Sequence, residues 1–103
     1  MDSVLYLIGE ETKTQDERGV WHAAVEKREV FARTKSVSRL EFFEGGRSGL
    51  NPEMVFTVFA GDYNGESACE YMGKSYAIYR TYLPEGRDYI ELYVQRKGGT
   101  NGK

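Results

Sequence analysis

Apolar residues fall along this chain in short runs separated by polar, glycine-containing breaks, the rhythm of strands rather than of long helices. Val4-Leu5-Tyr6-Leu7-Ile8 is a run of β-formers ending at Gly9, expected to be a strand buried on both faces or one crossing the core. The polar stretch from Glu10 to Arg18, closed by Gly19, reads as a hairpin loop. Between Val20 and Ser36 two periods compete. Val20, Ala23, Ala24, Lys27, Val30, Phe31 and Thr34 fall at helical spacing, whereas Trp21, Ala23 and Val25 alternate as in a strand, with Val30 and Ala32 on the other phase. The strand reading calls for a bulge at Glu26-Lys27-Arg28-Glu29, because one inserted residue swaps the two faces. Periodicity leaves both readings open.

Ser38-Arg39-Leu40-Glu41 has the form of a capping box, in which the serine hydroxyl and the glutamate carboxylate each accept from an orphan backbone N–H at a helix start. Gly45 and Gly46 follow within about two turns, so the helix is expected to be short, with these glycines supplying a left-handed C-terminal cap. Gly49 and Asn51-Pro52 then end the segment as an irregular loop. Met54 to Ala60 is apolar at almost every position, as in a strand covered on both sides, and Asp62-Tyr63-Asn64-Gly65 carries a strong hairpin-turn signal. Glu66 to Tyr71 and Ser75 to Leu83 read as strands joined by a tight turn at Met72-Gly73-Lys74. After Pro84-Glu85-Gly86-Arg87 the alternation is clean: Ile90, Leu92 and Val94 on one face, Tyr89, Glu91, Tyr93 and Gln95 on the other.

About six short antiparallel strands, one short helix and a long loop predict a mainly β fold, a small barrel or sandwich. The expected domain spans residues 1–97. The Gly- and Asn-rich stretch 98–103 has too little apolar surface to repay its ordering entropy and is expected to be disordered in isolation.

At 103 residues the chain has room for one modest core. Its eight tyrosines suit strands and contact surfaces, since the ring is apolar and the tip polar. Fourteen basic and sixteen acidic residues are spread evenly, without the basic stripe of a dedicated nucleic-acid binder. The single cysteine, Cys69, allows no intramolecular disulfide, so a reducing, cytoplasmic site of folding is expected. The chain is expected neither to span a membrane nor to be exported by the general route.

Candidate chemistry is sparse. His22, beside Trp21, has no partner identifiable in the sequence and reads as a surface or interface histidine; Cys69, mid-strand, reads as a small half-buried hydrophobe. One histidine and one cysteine do not make an ordinary structural zinc site, and Asp62-Tyr63-Asn64-Gly65-Glu66 lacks the twelve-residue ligand pattern of a calcium loop. Gly45, Gly46 and Gly49 follow a helix instead of joining a strand to one, so they do not read as a phosphate cradle. No cofactor is expected. Tyr76-Ala77-Ile78-Tyr79-Arg80-Thr81-Tyr82 has the composition of a base-stacking surface, but near-neutral charge favours packing or contact instead. The candidate interface residues are therefore Trp21, His22, Tyr79, Arg80, Tyr82 and Tyr93.

Several segments, in order, carry a family resemblance. They are Asp16-Glu17-Arg18-Gly19-Val20-Trp21, Glu26-Lys27-Arg28-Glu29-Val30-Phe31-Ala32 and Ser36-Val37-Ser38-Arg39-Leu40-Glu41-Phe42-Phe43. Gly49-Leu50-Asn51-Pro52-Glu53, Phe56-Thr57-Val58, Asp62-Tyr63, Gly73-Lys74-Ser75-Tyr76-Ala77-Ile78-Tyr79-Arg80-Thr81-Tyr82 and Ile90-Glu91-Leu92 continue it over nearly the whole chain. Together they resemble the small head-closure, or head-tail joining, proteins of long-tailed bacteriophages and Gram-positive prophages.

The resemblance implies a structural, non-enzymatic protein with a β-barrel-like fold and a long loop. It implies a ring, twelve-fold by analogy, beneath the portal and its adaptor, which closes the DNA-filled head and offers a docking surface to the tail-completion protein. It favours the strand reading of Val20 to Ser36. The partners implied are the portal/adaptor ring, the tail-completion protein, further copies of the chain, and packaged DNA contacted without sequence specificity, with no membrane. The location would be the host cytoplasm during assembly and then the virion neck. A neighbouring neck component or a small-barrel module for single-stranded nucleic acid are the alternatives. On the head-closure reading a gate must move, which favours the long connection Ser36 to Pro52, with Ser38, Leu40, Phe42, Phe43 and hinge glycines Gly45, Gly46 and Gly49. The opposing expectation is that Leu40, Phe42 and Phe43 pack the helix over an open end of the barrel.

Overall fold

Residues 3–97, the part of the chain that the computed structural model describes, form six strands and one α-helix, with a single 3-10 turn at Ala60–Asp62 after the third strand. In chain order these are β1 (Ser3–Gln15), β2 (Trp21–Ser36), α1 (Arg39–Arg47), β3 (Pro52–Phe59), β4 (Ala68–Tyr71), β5 (Lys74–Tyr82) and β6 (Tyr89–Arg96). Every neighbouring pair is antiparallel, and the sheet closes on itself in the order β1-β2-β3-β6-β5-β4. The architecture is thus a closed barrel. The tail expected to be disordered, 98–103, lies outside the described residues.

Alternation supplies the inner face of the barrel. Leu5 and Leu7 on β1, Val30 and Ala32 on β2, Phe56 and Val58 on β3, and Leu92 and Val94 on β6 each sit at the inward phase of their strands, all but fully buried. Phe56 lies among them with Tyr71 and Tyr76 edge-on at centroid distances of 5.0 and 5.9 Å. Each large side chain removed from water here contributes roughly 2 kcal/mol. Side chains fill the barrel, as expected for so few strands.

Val20 to Ser36 is a strand from Trp21 onward, yet the expected bulge in β2 is absent. The extra residue lies in β1, where Gly9 and Glu10 face Glu26 alone, between the pairs Ile8–Lys27 and Glu11–Val25. With nothing inserted in β2, Trp21, Ala23 and Val25 point to the face opposite Val30 and Ala32. The hairpin loop expected over Glu10 to Arg18 is also mostly strand. β1 continues to Gln15, and the turn is confined to Asp16–Val20. β1 and β2 therefore leave the barrel as a two-stranded arm in which every residue from 10 to 27 is exposed.

Asn64-Gly65 does not close a hairpin. β3 and β4 lie on opposite sides of the barrel, so the connection between them crosses one open end. Tyr63 packs against the interior from this crossing, its hydroxyl donating to the Glu66 carbonyl at 2.6 Å. Glu66 accepts from Arg28, at the root of the arm, at 2.6 Å. The turn at Met72-Gly73 forms as expected, both residues with positive φ, and β6 carries its inward Leu92 and Val94 as its alternation requires.

Candidate functional site

The outer wall of β2, β3, β6 and β5 presents its side chains in rows. Lys35, Val55, Tyr93 and Arg80 are successive cross-strand partners in one row, and Arg33, Thr57, Glu91 and Tyr82 form the next. A bulge between Ile78 and Arg80 places Tyr79 out of step, so that Tyr79 and Arg80, adjacent in the chain, both reach the outer face.

α1 lies across the first row. Tyr79 donates to one Glu41 oxygen at 2.6 Å and Arg80 to the other at 2.5 Å. The Arg80 guanidinium stacks 3.9 Å from the Tyr93 ring centroid, the Tyr93 hydroxyl donates to Glu91 at 2.7 Å, and Glu91 pairs with Lys35 at 3.0 Å. This clasp joins the helix to three strands. The bond from Arg80 holds the Glu41 carboxyl below the usual carboxylate range against the opposing pull of burial, with Tyr79 adding to the bond. Burial, reinforced by the Glu41 carboxylate, pushes the Tyr79 hydroxyl well above the usual phenol range. The Tyr79 hydroxyl is thus held as a donor. Val55, of opposite phase to Phe56, is buried on this outer face, where α1 packs against β3.

Half of the expected capping box forms. The Glu41 N–H donates to Ser38 Oγ at 3.0 Å, whereas the Glu41 carboxylate is spent on Tyr79 and Arg80. Gly45 and Gly46 are not the cap either, because the helix runs through them to Arg47. Gly49, at φ +84°, takes the left-handed position; Gly49 N–H donates to the Gly46 carbonyl and Leu50 N–H to that of Gly45, the paired bonds of a Schellman motif. Gly45 is buried because it is the contact point: a Cβ there would stand 2.5 Å from Pro52 Cγ. Gly46 has open space around it.

The expectation that Leu40, Phe42 and Phe43 cover an open barrel end is overturned. They are 71, 48 and 58% exposed on the outer side of α1. In the long connection from Ser36 to Pro52 the expected short helix forms, over Arg39–Arg47, with short links on either side.

The candidate interface residues separate into two places. Tyr79, Arg80 and Tyr93 belong to the clasp, and Tyr82, half exposed, lies one row away. Trp21 and His22 stand on the arm. There, Asp16 Oδ1 accepts from the N–H groups of Arg18 and Val20, both at 2.9 Å, and Oδ2 lies 2.8 Å from His22 Nε2. The bond to His22, with those from the backbone, holds the Asp16 carboxyl below its ordinary range. Gly19 at φ +82° completes a type I turn with a glycine bulge. His22 therefore has a partner in the arm's own turn, one that the sequence alone did not identify.

Residue-by-residue reading missed a third surface. Phe31, Phe59 and Tyr89, each about half exposed or more, line an outer groove of about 410 Å³ with Thr57, Arg33 and Asp62. Phe31 sits out of phase with Val30 and Ala32, and that was the available signal. Among the described residues no group of histidine, cysteine or carboxylate side chains is placed to hold a metal. Burial pushes the Cys69 thiol up to about 12, so it is held as an unreactive thiol. No described helix is long and apolar enough to cross a membrane. Comparison with protein-family models and with curated proteins finds no match to the chain.

Proposed function

We propose that the chain is a structural subunit of a bacteriophage neck, a head-closure protein that seals the DNA-filled head below the portal and adaptor ring and presents a docking surface to the tail. The sequence resemblance supplies the identity. The structural observation that supports it best is the distribution of exposed large apolar side chains around a small filled barrel. Trp21 and Val25 stand on the arm, Leu40, Phe42 and Phe43 on the helix, and Phe31, Phe59 and Tyr89 on the wall. Three separate apolar surfaces suit a subunit that touches neighbours on several sides and performs no covalent chemistry.

The rival reading, a module for single-stranded nucleic acid, needs aromatic rings and arginines free along one face. Tyr76 is buried, Tyr79 and Arg80 are bonded to Glu41, and Arg80 already covers Tyr93. The wall that would stack bases is occupied by α1.

On this reading the gate is α1 with its connections, and opening it means breaking the Glu41 clasp. Deleting the gene from the phage should yield filled heads that lose their DNA and lack tails. Imaging of virions should find the chain as a ring at the neck, twelve-fold on the family analogy. Intact tailed particles without the protein would overturn the proposal, as would its absence from virions.

A further inference from the structure

We propose that the arm and the aromatic groove are two halves of one contact between copies of this chain: Trp21 of one copy enters the groove of Phe31, Phe59 and Tyr89 of the next. The inference rests on the reading of the chain as a self-assembling subunit, and it says which surfaces join.

The two halves cannot meet within one molecule. Trp21 and Phe31 lie on the same face of one uninterrupted strand, ten residues apart, which is roughly 33 Å of extended chain. One half is convex and the other concave. Trp21 projects from the arm, 64% exposed, in a stripe with Ala23 and Val25, while the groove offers about 410 Å³ between aromatic walls, with Phe59 and Tyr89 edge-to-face at 6.1 Å. Charge does not oppose the contact. The arm carries five carboxylates, on Glu10, Glu11, Asp16, Glu17 and Glu26, against three cations, on Lys13, Arg18 and Lys27. The groove carries Arg33 and Asp62, and a second hollow sharing Thr57 and Tyr89 adds Arg87 and Glu91, so the charges on that side balance and do not repel the arm.

The arm also has reason to be covered. A two-stranded ribbon without a core is marginal in water, and residues 10–27 have none. An exposed ribbon of this length can supply area on the scale of the about 800 Å² that each partner gives to a stable interface, and a tryptophan in an aromatic pocket is the usual energetic centre of such a contact. Because arm and groove are different patches, the contact is head-to-tail, and repetition closes a ring or extends a filament.

The chain's single tryptophan is its own reporter. Raising the concentration of the full chain from about 1 µM to about 1 mM, a span that brackets weak to moderate association, should shift Trp21 emission to the blue as the mass seen by sedimentation rises above one subunit. Trp21→Ala and Phe59→Ala should each weaken association at least tenfold while leaving the fold intact, since neither side chain belongs to the buried core. Mixing the two variants should restore one good contact and stop at pairs. A monomer throughout overturns the proposal, and so does association in which Trp21 stays water-exposed, the sign of pairing through another surface. Either result would leave the neck assignment standing, because that is judged by the protein's presence in virions.

Discussion

The two strands β1 and β2 have two lives. In their barrel halves, Leu5, Leu7, Val30 and Ala32 are at most 5% exposed; a few residues further along the same paired backbone, everything from 10 to 27 faces solvent. The hydrogen-bonded ladder continues past the bulge at Gly9 and Glu10, so backbone pairing is not what distinguishes the halves. One half closes a cylinder around apolar side chains, and the other is held by its turn, its ladder and, at its root, the Lys27–Glu70 pair. Stability resides in enclosure, and surface for partners is available where enclosure ends.

Removing an aromatic ring from each half tests this most sharply. Phe56→Ala should cost about 3–5 kcal/mol in urea denaturation, because a fully buried ring touching Tyr71 and Tyr76 is replaced by a cavity. Trp21→Ala removes a larger ring from the arm and should change the stability of the monomer by no more than about 0.5 kcal/mol. A comparable loss from both would erase the distinction.

The boundary between the halves is the pair Arg28–Glu66. Glu66→Gln should cost about 1–3 kcal/mol near neutral pH, since Arg28 loses its charged partner at a partly buried site. Burial raises the Glu66 pKa, but the Arg28 bond and the Asn64 N–H outweigh it, so the folded value is lowered. A lowered carboxylate stabilises fully above its unfolded pKa and loses that contribution as pH falls through the folded value. The gap between wild type and Glu66→Gln, read from urea melts at successive pH values, should therefore close in acid.

α1 is intermediate, a surface element held at a few points. Gly45→Ala should lower stability by about 1–2 kcal/mol, because the added methyl meets Pro52 and overpacking outweighs the helix-propensity gain. Gly46→Ala has open space and should raise stability by up to about 1 kcal/mol. Equal effects would mean that the helix does not dock through Gly45.

The smallest global effect belongs to the arm's turn. Asp16→Ala removes the acceptor of two backbone N–H groups and the partner of His22. It should leave the melting temperature unchanged while amide exchange quickens in the arm alone. Loss of protection in the barrel would show that arm and barrel unfold together.

Some of this was legible residue by residue. Ile90, Leu92 and Val94 announced an inward face by strict alternation, Met72-Gly73-Lys74 announced a tight turn, and Ser38 announced the helix start. The Glu10 to Gln15 strand was not legible, because with no core to face every one of its residues is polar and the stretch looks like a loop. Asn64-Gly65 misled for a different reason: the local turn chemistry is the same whether the chain returns beside its last strand or crosses to the far wall. Glu41 looked complete as a capping residue, and nothing near it in the chain pointed to Tyr79 and Arg80, almost forty positions away.

The class of fold, most of its strands and the place of its helix are written locally, because alternation, turn residues and caps act over a few residues. That the sheet closes, where the barrel stops and the arm begins, and which polar groups clasp α1 emerge in three dimensions. Those outcomes depend on contacts between residues far apart in the chain, where a bulge of one residue or the choice of a neighbouring strand turns an inward side chain outward. The surfaces that this leaves exposed, on arm, helix and groove, follow from that closure.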